Sequence, residues 1–312
     1  MKRKFTVKVV GGLGNQLFGL AFGLLVAEKM KAELNIDGSL IKYGSNKERK
    51  LQIDKIDLNY MGVKYIKKHV TKVDLNSELI KKVMWKIATR KNQKESEIQS
   101  PFFKFKSNQE FTGYFQNWLY ADILHSQGFN LLPRTLLNKH HSFMKSVDVS
   151  KDIFVHIRLG DYLQFPNLYT VIPESYFING INAINRDKLN GKIVLFVENK
   201  KELNAFYPNL LSMADLIIDR SSHLDDFESL IFLSSARQII VSNSTYSMWA
   251  AWCVKNRNGI ALVPDAQYFH PNSQELVDQR WDKVDSSKGG IVRGKFDMAT
   301  HLRLKSQFYS KF

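Results

Sequence analysis

The chain has 312 residues, 44% of them hydrophobic, and a formal net charge of +15. This composition is typical of a globular protein of about two domains. It excludes a membrane-spanning helix, since no stretch reaches ~18 uncharged apolar residues, and the single cysteine, Cys253, excludes an internal disulfide and favours a reducing compartment.

The first half of the chain begins as an alternation of strands and helices and then becomes irregular. We predict a strand at 4–10, a helix at 15–31, a strand at 32–37, a lysine-rich region with one or two helices at 38–110, a short aromatic segment at 111–118 and mostly helix at 118–147. Lys8 interrupts the first apolar run, which we therefore interpret as a strand rather than a signal peptide.

The second half is more regular. Strands are predicted at 152–157, 192–198, 214–218, 238–242 and 259–263, and helices at 173–187, 200–206, 224–236 and 246–255. Such an α/β repeat implies a parallel sheet with helices on both faces. We place the domain boundary in the polar stretch 145–151, which gives domains of 1–147 and 148–312, with a C-terminal tail that packs back.

One lysine-rich segment has a helical pattern. Ile80, Val83, Met84 and Ile87 form a single stripe, and most of the nearby lysines lie elsewhere on the helix. We favour a helix packed on its own domain. Peripheral contact with an anionic membrane is the alternative interpretation.

The first polar loop, Gly11 to Gln16, follows the first predicted strand. Together with Asp37 at the end of the next strand, it resembles a dinucleotide-binding turn, but Leu17 stands where that motif has its third glycine. An NAD-dependent oxidoreductase therefore stays an alternative, and a tight strand-to-helix turn is the plainest interpretation.

The second loop, His156 to Tyr162, follows a buried strand. Since side chains alternate along a strand, His156 and Arg158 face one side and Ile157 faces the core. The guanidinium of Arg158 suits a phosphate, and Asp161 can orient Arg158 or accept a hydroxyl proton. A structural Arg–Asp pair is the competing interpretation.

The third loop is Ser242, Asn243, Ser244 and Thr245, between a strand and a helix. Hydroxyls and backbone N–H groups at a helix N-terminus bind phosphate well. The same residue types are also favoured as ordinary N-caps.

Taken in order, GGLGNQLF, GYFQNW, HIRLGDY and SNSTYSMWAAW resemble the motifs of the inverting α1,2-fucosyltransferases over roughly residues 8–265. The resemblance implies two Rossmann-like domains facing a cleft, the GT-B arrangement. It also implies metal-independent transfer of L-fucose from GDP-fucose to O2 of a galactose, in bacterial O-antigen or lipopolysaccharide synthesis.

The resemblance also implies roles for particular residues. Arg158 is expected to bind the β-phosphate and help GDP leave, His156 to contact the nucleotide, and Asp161 to hold the loop or act as the base. Residues predicted to line the site are Ser242, Asn243, Ser244 and Thr245 around the diphosphate, Gly14, Asn15 and Gln16 from the first domain, Glu198 among the residues that bind the substrate or nucleotide, and Asp226 or Glu228 at the guanine.

Three positions depart from the family pattern: Leu159 replaces a second arginine, Met248 replaces a tryptophan, and Glu198 replaces a more usual aspartate or serine. A related GDP-sugar is therefore an alternative donor. The acceptor is expected to be a galactose-containing or lipid-linked glycan, met in the cytoplasm or at the inner face of the membrane. A polyanion-binding protein is a remote alternative, because the aromatic residues do not interleave with lysines as nucleic-acid binding requires.

Overall fold

The computed structural model describes residues 3–41, 49–58, 63–66, 93–98, 100, 103–106, 108–130, 132, 142–186, 191–285 and 290–312. The chain divides into two compact units. Unit 1 comprises Met1–Leu131 with Met298–Phe312, and unit 2 comprises Leu132–Asp297.

Unit 1 contains a parallel sheet and the helices around it. Its strands are β1 (Lys4–Lys8), β2 (Glu33–Asp37), β3 (Val63–Ile66), β4 (Gln93–Lys94) and β5 (Glu110–Thr112). They pair in the order β3-β2-β1-β5-β4, all parallel. The helices are α1 (Leu13–Met30), α2 (Glu95–Ile98), α3 (Trp118–Ser126) and α10 (Met298–Tyr309), with a 3₁₀ turn at Ile53–Lys55.

Helix α1 lies close to the sheet because two of its glycines face it. A Cβ on Gly19 would lie 2.8 Å from Val9 Cγ1, and one on Gly23 would lie 2.9 Å from Leu34 Cδ1. These glycines allow the close helix–strand packing that a third loop glycine, absent at Leu17, provides in dinucleotide-binding turns.

Unit 2 contains a second parallel sheet. Its strands are β6 (Ile153–His156), β7 (Ile193–Phe196), β8 (Leu216–Ile218), β9 (Gln238–Val241) and β10 (Ile260–Leu262), in the order β10-β9-β6-β7-β8. The helices are α4 (Gly160–Gln164), α5 (Glu174–Arg186), α6 (Lys200–Phe206), α7 (Pro208–Ser212), α8 (Asp226–Ser234) and α9 (Thr245–Lys255). Every residue of β6 and β9 is buried, as expected for central strands covered on both faces.

Shorter elements complete unit 2. An antiparallel ribbon joins β11 (Lys283–Val284) to β12 (Ile291–Val292). The 3₁₀ turns are Ser142–Ser146, Arg220–Ser222, Ala266–Tyr268 and Pro271–Leu276.

The predicted α/β architecture with parallel sheets is confirmed. In the second half, most of the predicted ends of strands and helices lie within two residues of the observed ends. The first half was predicted less well. Strands β3 and β4 lie in the region expected to be irregular, and helix α3 ends at Ser126. Most of the helical region predicted beyond it, up to residue 141, lies outside the described residues. Gly128, at φ +82°, stops that helix in a conformation that only glycine adopts readily.

The two units divide earlier than the boundary that we predicted at 145–151. Backbone groups of that stretch bond to unit 2: Arg237 N–H donates to Val149 O at 2.8 Å, and Lys192 Nζ donates to Ser146 O at 2.7 Å. The C-terminal helix belongs to unit 1, where the Phe312 ring stacks on Phe105 with centroids 4.6 Å apart. The basic helix predicted around Ile80 to Ile87 lies outside the described residues.

None of the helices in the described part of the chain combines the length and apolar character needed to cross a bilayer.

Candidate functional site

The site in unit 2 lies at the carboxyl ends of three adjacent strands. His156 ends β6, Glu198 follows β7, and Ser242 follows β9. Because β9, β6 and β7 are neighbouring parallel strands, the loops that follow them meet at one edge of the sheet. This is the edge at which open α/β sheets bind ligands.

Arg158 is held between two carboxylates. Its Nε donates to Asp161 Oδ1 at 3.0 Å, Nη2 lies 2.8 Å from the same oxygen, and Nη1 donates to Glu198 Oε1. A guanidinium has five N–H groups, so two remain without an acceptor among the described residues. The carboxylates thus orient a cation that keeps donors for a ligand.

Burial and charge pairing act in opposite directions on the pKa of each partner in the Glu198–Arg158 pair. Burial raises the pKa of Glu198 above its ordinary value, and the neighbouring Arg158 offsets only part of that effect. Burial alone would lower the pKa of Arg158, but Glu198 and Asp161 together raise it. Arg158 therefore stays charged, and Arg220 lies 3.9 Å from Glu198 Oε1 as a second, exposed cation.

Gly160 makes room for Glu198. A Cβ at this position would lie 1.8 Å from Glu198 Oε2, and Gly160 has a positive φ of +21°. Its N–H donates to Glu202 Oε2 at 3.2 Å. Glycine is thus required both by its backbone angle and by the carboxylate lying against it.

Ser242 joins the loops after β6 and β9. Its buried hydroxyl donates to His156 O at 3.0 Å and accepts from Arg158 N–H at 2.9 Å. The hydroxyl predicted to hold a diphosphate is therefore occupied by the backbone of the Arg158 loop.

Asn243 is committed in a similar way. Its Nδ2 donates to Thr170 O at 2.9 Å and to Tyr268 O, and its backbone carbonyl accepts from the hydroxyl of Tyr162 at 3.2 Å. These bonds fix the loop from which helix α9 begins.

His156 is linked to the start of α9 by two serines. Its Nδ1 lies 2.6 Å from Ser247 Oγ, and Ser247 Oγ lies 2.7 Å from Ser244 Oγ. Ser244 caps the helix by accepting from Ser247 N–H at 3.1 Å. Burial, with a smaller effect of the Arg158 charge, lowers the pKa of His156 to about 3, so the imidazole is neutral at physiological pH.

The backbone before and within the first turn of α9 presents free donors. In the described part of the chain, the N–H groups from Asn243 to Tyr246 have no acceptor. Thr245 and Tyr246 are the partly exposed members of this group. N–H groups at a helix N-terminus favour an anion.

Asp226 and Glu228 lie at the start of helix α8. Glu228 is part of a capping box, in which its carboxylate accepts from Asp225 N–H at 3.2 Å and its own N–H donates to Asp225 Oδ1 at 3.0 Å. The Asp226 carbonyl accepts from the hydroxyl of Tyr246 at 2.9 Å. Helix α8 is thereby tied to the first turn of α9.

In unit 1, the predicted site residues Gly14, Asn15 and Gln16 form the first turn of α1. The Gln16 side chain is fully buried, donates to Gly11 O and Lys50 O at 3.2 and 2.9 Å, and accepts from Gln52 N–H at 2.9 Å. Asn15 Oδ1 accepts from Gln116 Nε2 at 2.9 Å. Gln16 thus holds the loop at residues 50–52.

Tyr246 and Ser247 are site residues that the sequence patterns did not identify. The centroid of the Tyr246 ring lies 5.2 Å from that of the His156 ring, and the hydroxyl of Ser247 is hydrogen-bonded to His156 Nδ1. The spacing from Ser244 was the one signal in the sequence that could have identified Ser247. Ser244 and Ser247 are three residues apart at the start of a helix, so their side chains lie on the same face. Among the described residues, no group of three or more His, Cys, Asp or Glu side chains is placed to hold a metal.

Comparisons with known proteins identify relatives over nearly the whole chain. The family model described as Glycosyl transferase family 11 matches residues 1–284. An O-antigen biosynthesis glycosyltransferase, WbnK, and an alpha-1,2-colitosyltransferase, both from Escherichia coli, are each 23% identical to this chain. The alignments cover 87% and 89% of this chain and 97% and 98% of the relatives, respectively.

Among solved structures, NodZ alpha-1,6-fucosyltransferase from Bradyrhizobium, soaked with GDP-fucose, matches with a TM-score of 0.47 at 13% identity. The match covers 95% of this chain and all of NodZ.

Proposed function

This chain belongs to glycosyl transferase family 11, and we propose that it transfers L-fucose from GDP-fucose, with inversion, to O2 of a galactose-type acceptor in O-antigen synthesis. The observation that carries the proposal is the set of donors at one edge of the unit 2 sheet. Arg158 retains two guanidinium N–H groups, and the backbone N–H groups from Asn243 to Tyr246 have no acceptor among the described residues. A diphosphate supplies the acceptors that such a set requires.

The reaction develops negative charge on the departing β-phosphate while the sugar becomes oxocarbenium-like. Donors fixed in place before the reaction stabilise that charge without reorganisation. Asp161 and Glu198 hold the Arg158 guanidinium in one orientation, and Ser242 holds its backbone. We assign Asp161 to positioning, because its Oδ1 is already engaged by Arg158.

Metal-independent catalysis is part of this proposal. Arg158 and the α9 N-terminus supply the positive potential that a divalent cation supplies elsewhere. Turnover is expected to be unchanged in excess EDTA. Loss of turnover with recovery on adding Mn²⁺ or Mg²⁺ would remove this part of the account.

The relatives support the donor class and the setting. One is named as an O-antigen glycosyltransferase and the other as an alpha-1,2-colitosyltransferase. The second name makes a related deoxy-sugar donor the alternative candidate, with the same nucleotide site and a different sugar pocket. We further propose that the enzyme meets a lipid-linked acceptor at the inner face of the cytoplasmic membrane, where the +15 charge favours anionic lipid.

Ligand-dependent thermal stability tests the nucleotide assignment. A ligand that binds only the folded state raises the melting temperature, so GDP is expected to stabilise the protein much more than UDP. Equal stabilisation by GDP and UDP would contradict a guanine-selective site.

A further inference from the structure

We infer that Ser247 is a positioning residue that fixes His156 as the neutral tautomer protonated at Nε2, so that the ring donates a hydrogen bond to an acceptor atom of the nucleoside diphosphate. Only the identity of that ligand rests on the proposed function. The inference begins from an unused group: in the described part of the chain, His156 Nε2 has no partner, whereas Nδ1 is bonded to Ser247.

The three side chains form a short chain of hydrogen bonds with two possible directions. Ser244 Oγ lies 2.7 Å from Ser247 Oγ, which lies 2.6 Å from His156 Nδ1. All three residues are buried. A buried hydroxyl hydrogen without an acceptor is costly, so the direction that satisfies every hydrogen is favoured.

In one direction, Ser244 donates to Ser247, and Ser247 donates to His156 Nδ1. Every hydroxyl hydrogen then has an acceptor, and the imidazole proton lies on Nε2. Ser244 Oγ also accepts from Ser247 N–H, which suits an oxygen whose own hydrogen points to Ser247.

In the other direction, Nδ1–H donates to Ser247 and Ser247 donates to Ser244. The hydrogen of Ser244 Oγ then has no acceptor among the described residues. This direction would also leave Nε2 without a proton to donate to an anionic ligand. In the first direction, Nε2–H is instead a hydrogen-bond donor, like the N–H groups of Arg158 and of the α9 start.

The imidazole ring of His156 is held in place by the ring of Tyr246 as well as by Ser247. The Tyr246 ring packs 5.2 Å from the His156 ring, and the hydroxyl of Tyr246 is fixed to Asp226 O at 2.9 Å. Two neighbouring residues of α9 therefore have different roles. Tyr246 fixes the orientation of the imidazole ring, and Ser247 keeps the proton of the ring on Nε2.

Nitrogen NMR of the full chain labelled with ¹⁵N-histidine reads the tautomer directly, without ligand. The His156 signals are assigned by their absence in His156→Asn. We expect Nδ1 to show the signature of an unprotonated acceptor nitrogen and Nε2 that of a protonated one. A protonated Nδ1 in the wild-type protein would overturn the inference, and this measurement stands even where a serine variant fails to fold.

Variants then test the role of Ser247. In Ser247→Ala, we expect a mixture of tautomers and GDP binding weakened about three- to tenfold, whereas Ser247→Thr keeps the hydroxyl and the wild-type pattern. Ser235→Ala is the matched control, because it removes another buried hydroxyl at the opposite edge of the same sheet, just before β9. An unchanged tautomer and unchanged GDP affinity in Ser247→Ala would contradict the inference. Failure of the wild-type protein to bind GDP would instead contradict the proposed function, since the tautomer is measured without nucleotide.

Discussion

The guanidinium of Arg158 contacts a single oxygen of Asp161 through two nitrogens, with Nε at 3.0 Å and Nη2 at 2.8 Å. An ammonium group has no second nitrogen with which to reproduce this contact. Asp161 therefore fixes the direction in which Arg158 presents its remaining N–H groups, and that direction depends on arginine.

Arg158→Lys is expected to lower kcat and kcat/KM by about 10²-fold, the scale of losing one positioned transition-state donor. The fold should persist, because the change leaves a charge and little cavity. Steady-state kinetics and thermal melts on one preparation measure both effects. Arg280→Lys, at an arginine paired with Asp278 elsewhere in unit 2, is the control. Near-normal kcat in a destabilised protein would mean that Arg158 only holds the loop.

Ser242→Ala should act mainly on stability. It removes a buried hydroxyl that bonds both His156 O and Arg158 N–H, and an unpaired buried backbone group costs about 1–3 kcal/mol. Chemical denaturation is the measurement, with Thr245→Ala, a partly exposed neighbour, as the control. A Ser242→Ala protein of normal stability that has lost only GDP affinity would show instead that the hydroxyl binds the diphosphate.

Gly160 and Glu198 should behave as one unit. In Gly160→Ala, the new methyl group meets the Glu198 carboxylate, which must leave Arg158. Glu198→Ala removes that clash, so the alanine at position 160 should cost less in the double variant. We expect a coupling energy of about 0.5–3 kcal/mol from a double-mutant cycle of unfolding free energies. Strict additivity would mean that only the backbone angle of Gly160 matters.

The buried neutral histidine should make stability depend on pH. The pKa of His156 is lowered from 6.5 to about 3 in the folded protein. Between these pH values, the His156 imidazole is therefore protonated in the unfolded chain but neutral in the folded protein. Stability is therefore expected to fall as the pH falls through this window, by at most about 1.4 kcal/mol per pH unit. His156→Asn keeps an acceptor for Ser247 and should show a shallower dependence in melts between pH 7 and 4. Parallel curves for the two proteins would contradict a depressed histidine pKa.

The sequence predicted the central strands of unit 2 well, because each is an apolar run such as Ile239 to Val241 that has no polar face to present. The edge strand β4 was missed, since two residues, Gln93 and Lys94, carry no periodic signal. The alternation of His156, Ile157 and Arg158 correctly placed Ile157 in the core.

The sequence did not show which polar side chains of the site form hydrogen bonds within the protein and are therefore not available to a ligand. Ser242 and Gln16 are polar residues in loops that resemble ligand-binding motifs, yet both bond to distant backbone groups. The partners lie 84 and 34 residues away along the chain, so no local pattern identifies them. Ser247 was overlooked for the same reason, because its importance depends on a histidine 91 residues earlier.

Nucleotide release from a panel of sugar donors measures the proposed transfer reaction itself. The 312-residue protein is incubated with a simple β-galactoside and GDP-fucose, GDP-mannose or UDP-galactose in turn, with Arg158→Lys as the low-activity control. We expect GDP to be released from GDP-fucose only when the galactoside is present, with formation of an α1,2-linked product. Release of nucleotide from the other donors should be much slower. Turnover of another donor in preference to GDP-fucose, or acceptor-dependent release of UDP, would contradict the proposed function.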